Sequence, residues 1–311
     1  MLRDRHKKTP ASAVHAKLQT GSVSSLASSS LLIHWDDLPA WRRDNAFIHT
    51  GYRATSNSFY ASFCSLAYLH NESVNIWSHL LGSVGFVLTA LYLYAVIAPR
   101  YESASPADIA VFAAFLGGAV LCLGMSATYH ALSNHSSSVA KWGNKLDYTG
   151  IVFLIVGSYV PALYYGFYCD VILRELYTTL IFMLGFGCVL VSWIERFRTP
   201  EWRPYRALMF VALGTSGVVP ILQGLEKYGW THLQQRMSLS LVILHGAMYV
   251  IGAVIYAARW PERLWPGAFD HFGSSHQIFH VFVLVAALTH MYAMALAFDY
   301  HHTVSCALYA F

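Results

Sequence analysis

Residues 277–298 read QIFHVFVLVAALTHMYAMALAF and follow directly on Ser274-Ser275-His276. A run of about 20 apolar residues crosses the ~30 Å of bilayer hydrocarbon as a helix. Six further segments of this kind lie upstream, at 76–98, 108–132, 147–168, 172–194, 206–224 and 238–258. The chain is 56% apolar, 15% aromatic and only 12% charged, which is not the composition of a soluble globular domain. The short connections exclude separate soluble domains and do not alternate as a β-barrel does. The expected fold is therefore all-α: a polytopic membrane protein, a seven-transmembrane helix bundle over 76–298.

Three flanking pieces complete the expected organisation. Residues 1–34 begin with Arg3, Arg5, Lys7, Lys8 and Lys17, pass into Ser-rich sequence from Ser22 to Ser30, and read as a disordered tail without the apolar region of a signal peptide. Residues 35–75 are polar and aromatic by turns and read as a short helix and loop on the inner face of the membrane. Residues 299–311 form a short tail, in which His301 and His302 are exposed.

Lys and Arg set the orientation. Eight precede residue 54, and Lys141, Lys145, Arg196, Arg198, Arg203, Arg206, Arg259 and Arg263 fall on the same side, against Arg100, Arg174, Lys227 and Arg236 on the other. The N-terminus is expected in the cytosol and the C-terminus outside or in a lumen. The net charge of +4 reflects this bias and does not suggest nucleic acid. The cysteines at 64, 122, 169, 188 and 306 have no CxxC spacing, so neither a disulfide framework nor a thiolate metal site is expected.

In that orientation the second span ends near His130, the third begins near Asp147 and the seventh begins at His276, all at one depth. His276 and His280 share a helix face about 6 Å apart, and imidazole near hydrocarbon needs a partner, for which a metal ion is well suited. The third ligand at this level is His130, with His79 as a competitor that spacing does not exclude. A set of three histidines with a fourth position open is the arrangement of catalytic zinc, which lowers the pKa of water toward ~7. Asp147, taken as a first-turn carboxylate, is placed to accept a proton, and Ser126, one turn before His130, to orient water or donate to an oxyanion. Read singly, Asp147 is also a cap and Ser126 a back-bonded helix serine. His245 and His290 lie deeper and read as helix-packing histidines.

Ordered motifs add a resemblance. Asp44-Asn45 with IHTGYR at 48–53, HNESVNIWSH at 70–79, Ser126 with Tyr129-His130, LDYTGI at 146–151, GSYVP at 157–161, Pro261-Glu262-Arg263 and SHQIFH at 275–280 resemble the progestin and adipoQ receptors. That family includes adiponectin receptors, haemolysin III-related proteins and fungal proteins of zinc homeostasis. The resemblance covers about residues 35–298. It implies seven helices with a cytosolic N-terminus and zinc near the inner leaflet on His130, His276 and His280, with Asp147 and Ser126 beside it. It also implies a link to ceramide hydrolysis, with ceramide or fatty acid in the bundle interior. The leading expectation is a ceramidase-like zinc-dependent lipid amide hydrolase of the plasma membrane or endoplasmic reticulum. The alternative is a signalling receptor with structural zinc and a bound lipid or extracellular ligand. Zinc transport lacks a polar ladder through the spans.

Overall fold

The structure, a computed structural model, describes residues 31–97, 101 and 103–303. The expected disorder of residues 1–30 and the end of the expected tail, 304–311, lie outside the described residues. Helices α1 (Phe59–Cys64), α2 (Ser73–Tyr92), α3 (Pro106–Leu132), α4 (Ser137–Gly166), α5 (Val171–Trp193), α6 (Arg203–Thr215), α7 (Val218–Met237), α8 (Leu239–Ala258) and α9 (Ser275–Thr303) follow in order. Among the described residues, seven stretches are long and apolar enough to span a bilayer: α2 to α5, α6 with α7 as Pro204–Met237, α8 and α9. The protein is an integral, multi-pass membrane protein.

The boundaries depart from the apolar reading where polar residues continue a helix. α4 starts at Ser137, ahead of the expected start, because Ser136 accepts from Val139 N and caps the polar turn Ser137–Asn144. Asp147 therefore sits three turns inside α4, beyond the reach of the helix dipole, which acts within the first turn. The fifth span continues past 224 through Lys227 and Arg236, expected outside it, and Arg236 is buried under the Tyr228 ring at 4.2 Å. α9 continues to Thr303, so His301 and His302 do not lie in an exposed tail. His301 stacks on Tyr165 and Tyr168, and His302 lies 3.3 Å from the buried Asp108. Cys169 is disulfide-bonded, where spacing suggested no disulfide framework.

Within lipid, helices gain nothing from hiding apolar surface from each other, so close backbone approach by small residues replaces the hydrophobic drive. A Cβ on Gly150 of α4 would stand 2.9 Å from Cys122 Cα of α3, and one on Gly157 would stand 2.6 Å from Ala114 O. The two antiparallel helices thus touch backbone to backbone. One turn beyond the Gly150–Cys122 contact, Asp147 and Ser126 face each other.

Residues 32–72 form a small folded cap. β1 (Leu32–Ile33) pairs antiparallel with β2 (Tyr52–Arg53), and Leu38, Ile48 and Tyr52 make its core with Ile33 and Trp35. The cap is sewn to the α8–α9 loop: Thr50 donates from N and Oγ1 to Asp270 at 2.8 and 2.6 Å, His49 N to Asp270 at 2.9 Å, and Gly267 N to Phe47 O at 2.9 Å. His70 is fully buried in it, and its Nδ1 accepts from Glu72 N at 3.1 Å. Burial, with the nearby Arg53 charge, pushes its pKa down to about 4 from 6.5. Between those values the unfolded chain takes up a proton that the folded chain refuses. Stability is therefore held above pH 6.5 and falls by up to about 3 kcal/mol as pH drops toward 4. Thermal unfolding in detergent checks this, with a shallower acid slope expected for His70→Asn.

Candidate metal centre

The first turn of α9 is fixed before its histidines appear. Glu262, fully buried, accepts from Ser275 N at 2.8 Å and from the Ser275 hydroxyl, filling one of the donors that every helix start leaves open. Gln277 accepts from Gly273 N at 2.6 Å and donates to Asn71 O and His271 O at 3.2 and 2.9 Å. His276 and His280 therefore present one face to the bundle at a defined height.

The end of α3 is held by Arg53. Its guanidinium donates to His130 O at 2.6 Å, Ala131 O at 2.8 Å, Ser65 Oγ at 2.8 Å and Ser133 Oγ at 3.1 Å, satisfying carbonyls that the helix terminus leaves open. Burial lowers its pKa to about 10, so it remains charged at neutral pH.

His130, His276 and His280 come together with ring nitrogens within 4.8 Å of one another, a set able to hold a metal ion. Nε2 of His130 and Nε2 of His276 are 3.2 Å apart. Two nitrogens at the ~2.0–2.1 Å of a metal–imidazole bond in a tetrahedral set would lie roughly 3.3–3.4 Å apart, so the spacing is close to that of a ligand pair. The remaining nitrogens point the same way. His130 Nδ1 is bonded to Glu72 Oε2 at 2.8 Å and His280 Nδ1 to Asn75 O at 3.2 Å, which leaves each Nε2 lone pair for a ligand bond. Burial pushes the Glu72 carboxyl up, but the His130 charge and the hydrogen bonds from His130 and Asn75 outweigh it and hold Glu72 below the usual carboxylate range. Glu72→Gln, which keeps the shape and removes the charge, is expected to weaken metal binding about 10- to 100-fold; competitive titration with zinc and a chromophoric chelator checks it.

Asp147 and Ser126 are both buried beside this group and line the same cavity, with the Asp147 carboxylate near the Ser126 hydroxyl and the His130 ring. His79 does not join the three. Its ring lies flat on His280, centroids 3.6 Å apart and 6° from parallel. A cavity of about 530 Å³ starts at His79, Ser126, Asp147, His276 and His280 and runs between α4, α6, α8 and α9, past Leu154, Phe210 and Val283, to Phe167, Leu233 and Met237. Its volume is that of a small-molecule or lipid-chain site, and its walls are mainly apolar.

Glu72, Asn75, Arg53 and Glu262 were not singled out from sequence as parts of a site, although each lies in a motif quoted above. The available signal was their type and place: polar or charged residues in short motifs at or just outside the spans, where burial demands a partner. The motifs at 44–53, 70–79, 126–130, 146–151 and 261–280 meet at the histidine end of the bundle, and several of them hold the histidines, whereas GSYVP at 157–161 lies farther along α4 against Ala114.

Comparison with known proteins agrees with this architecture. The family model "Haemolysin-III related" matches residues 67–291. The "ADIPOR-like receptor IZH2" of Saccharomyces cerevisiae is 43% identical over 271 residues, 87% of this chain and 85% of the relative. The "Adiponectin receptor protein" of Drosophila melanogaster is 44% identical over 262 residues, 84% of this chain and 58% of that longer protein. "Heptahelical transmembrane protein 1" of Arabidopsis thaliana is 35% identical over 281 residues, 88% of this chain and 83% of the relative. With seven spans of membrane length and a match over most of its length, the chain belongs to the haemolysin III-related family as an adiponectin-receptor-like membrane protein.

Proposed function

We propose that the protein is a zinc-dependent membrane hydrolase of lipid amides, ceramide-like in substrate, serving lipid and zinc homeostasis. The observation that carries this reading is the junction of two unlike features. A largely buried histidine set with converging ring nitrogens stands at the end of an apolar cavity, with an ionisable Asp147 and a hydroxyl from Ser126 at the same end.

His130, His276 and His280 would hold the ion, which when bound polarises a carbonyl oxygen and acidifies water. The residues supply the rest. The cavity receives the acyl chain and brings the amide carbonyl to the histidine end. Asp147 accepts a proton from the attacking water as the carbon–oxygen bond forms. It then returns the proton to the amine nitrogen as the carbon–nitrogen bond breaks, so water and amide become fatty acid and amine. Ser126 fixes the carboxylate during both transfers.

The histidine end carries Lys141, Lys145, Arg206, Arg259 and Arg263, which supports a cytosolic setting for it. The disulfide-bonded Cys169 lies at the far end of α4, consistent with an oxidising outer or lumenal compartment there. Stripping the metal with a chelator is expected to abolish fatty-acid release from ceramide, and added zinc to restore it. Undiminished release after stripping would contradict the reading.

A second reading is favoured by the relatives' own names, in which "receptor" recurs. In it the ion ties α3 to α9 and a lipid or extracellular ligand is sensed. Metal removal would then unfold or silence signalling without any hydrolysis to lose.

A further inference from the structure

Midway along the cavity the apolar wall is interrupted. His245 and Tyr249 of α8, His290 of α9 and Ser158 of α4 all line it, between Leu154 and Val242. His290 is fully buried and His245 is 9% exposed, with their rings 4.7 Å apart. Two of these side chains are already used: Ser158 Oγ donates to Leu154 O at 2.7 Å and His245 Nδ1 meets Leu241 O at 3.2 Å. The others are not. The Tyr249 hydroxyl and both ring nitrogens of His290 are buried without a partner in hydrogen-bonding geometry. Leaving such groups unmade is costly, and a cavity meant only for a plain hydrocarbon chain would be lined with apolar residues here.

The distance from the histidine site limits what can satisfy them. His290 follows His280 by ten residues along α9. At 1.5 Å per residue this is about 15 Å. An extended chain advances roughly 1.2 Å per bond, so a group reaching this girdle stands about 12 bonds from the carbon held at the histidines.

We propose that the girdle of Tyr249, His290 and His245 is a specificity subsite for a hydroxyl in the middle of the acyl chain. The Tyr249 hydroxyl donates to the chain oxygen, and an imidazole nitrogen accepts its proton. The cavity then prefers mid-chain hydroxyacyl lipids to unsubstituted ones of equal length. This proposal rests on the lipid-hydrolase reading for what fills the cavity, but it concerns binding and can fail separately.

The test is binding of free fatty acids to the full-length protein in nanodiscs, using stearate, 12-hydroxystearate and 2-hydroxystearate, by competition with a fluorescent fatty acid. A site built to hydrogen-bond a hydroxyl discriminates strongly against chains that lack it. The mid-chain hydroxy acid is expected to bind about 10-fold tighter than stearate, with no such gain for the 2-hydroxy acid. The ratio, read within each variant, should fall to about one in Tyr249→Phe and in His290→Leu. Equal affinities in wild type, a ratio that survives both substitutions, or no binding of any of the acids would each overturn the subsite. A preserved ratio in a protein that hydrolyses no amide would sink the reaction and leave the subsite standing, and turnover with a ratio of one would do the reverse.

Discussion

In His276→Ala, bound zinc is expected to fall from about one ion per chain to the level of a metal-free control, the largest change anticipated for any single substitution. His276 supplies one of three nitrogens that lie within 4.8 Å of one another, and its Nε2 stands 3.2 Å from that of His130. With it removed, two imidazoles from different helices remain and no third donor of the set replaces it. The loss should exceed the 10- to 100-fold that follows from disturbing a supporting residue such as Glu72. The fold is expected to survive, because the start of α9 is held by Glu262 on Ser275 and by Gln277 on Asn71, none of which the substitution touches. His79→Phe is the matching control. It keeps a flat ring against His280 and removes only nitrogens outside the set, so zinc should remain. Metal analysis of purified wild type and both variants reads the result. Retention of zinc in His276→Ala would mean that the three histidines are not the site.

Asp147→Asn is expected to separate chemistry from metal. The change keeps the shape of the side chain facing Ser126, so the packing between Gly150 and Cys122 that sets the register is undisturbed. In the proposed reaction this removes the proton acceptor, and a positioned acid–base group contributes roughly 10²- to 10⁴-fold. Fatty-acid release should drop by that range with zinc retained at the wild-type ratio. A variant with unaltered turnover would remove Asp147 from the reaction. A variant that loses zinc as well would make the carboxylate part of the metal's support.

The spans and the histidine pair were legible in the sequence for different reasons. Seven apolar runs follow from what lipid demands of a backbone, and His276 and His280 share a face because four residues make slightly more than one turn. His130 became distinct from His79 only through the motif around it, since both sit at comparable depth and the choice depends on which face of α2 and α3 turns inward. The start of α4 was hidden because Ser137–Asn144 is polar enough to read as a loop, although its cap at Ser136 makes it helical. The extension of the fifth span was hidden in the same way by Lys227 and Arg236, whose charges are met within the protein by Asp170 and the Tyr228 ring. The parts least visible were those joined across great sequence distance. Asn45 to Glu262, Thr50 to Asp270, Arg53 to His130 and Glu72 to His130 are contacts that no local periodicity announces. Each joins a short motif in the cap to a helix end or loop far along the chain. They explain why residues outside the bilayer spans belong to the site as much as the histidines do.

The most direct measurement is release of fatty acid from a panel of ceramides by purified wild type, His276→Ala and Asp147→Asn, each preparation assayed for zinc. The account predicts turnover in wild type alone, with zinc present in wild type and Asp147→Asn and absent from His276→Ala. Equal background release from all three, with wild type carrying its zinc, would contradict it and leave the ion as a structural tie between α3 and α9.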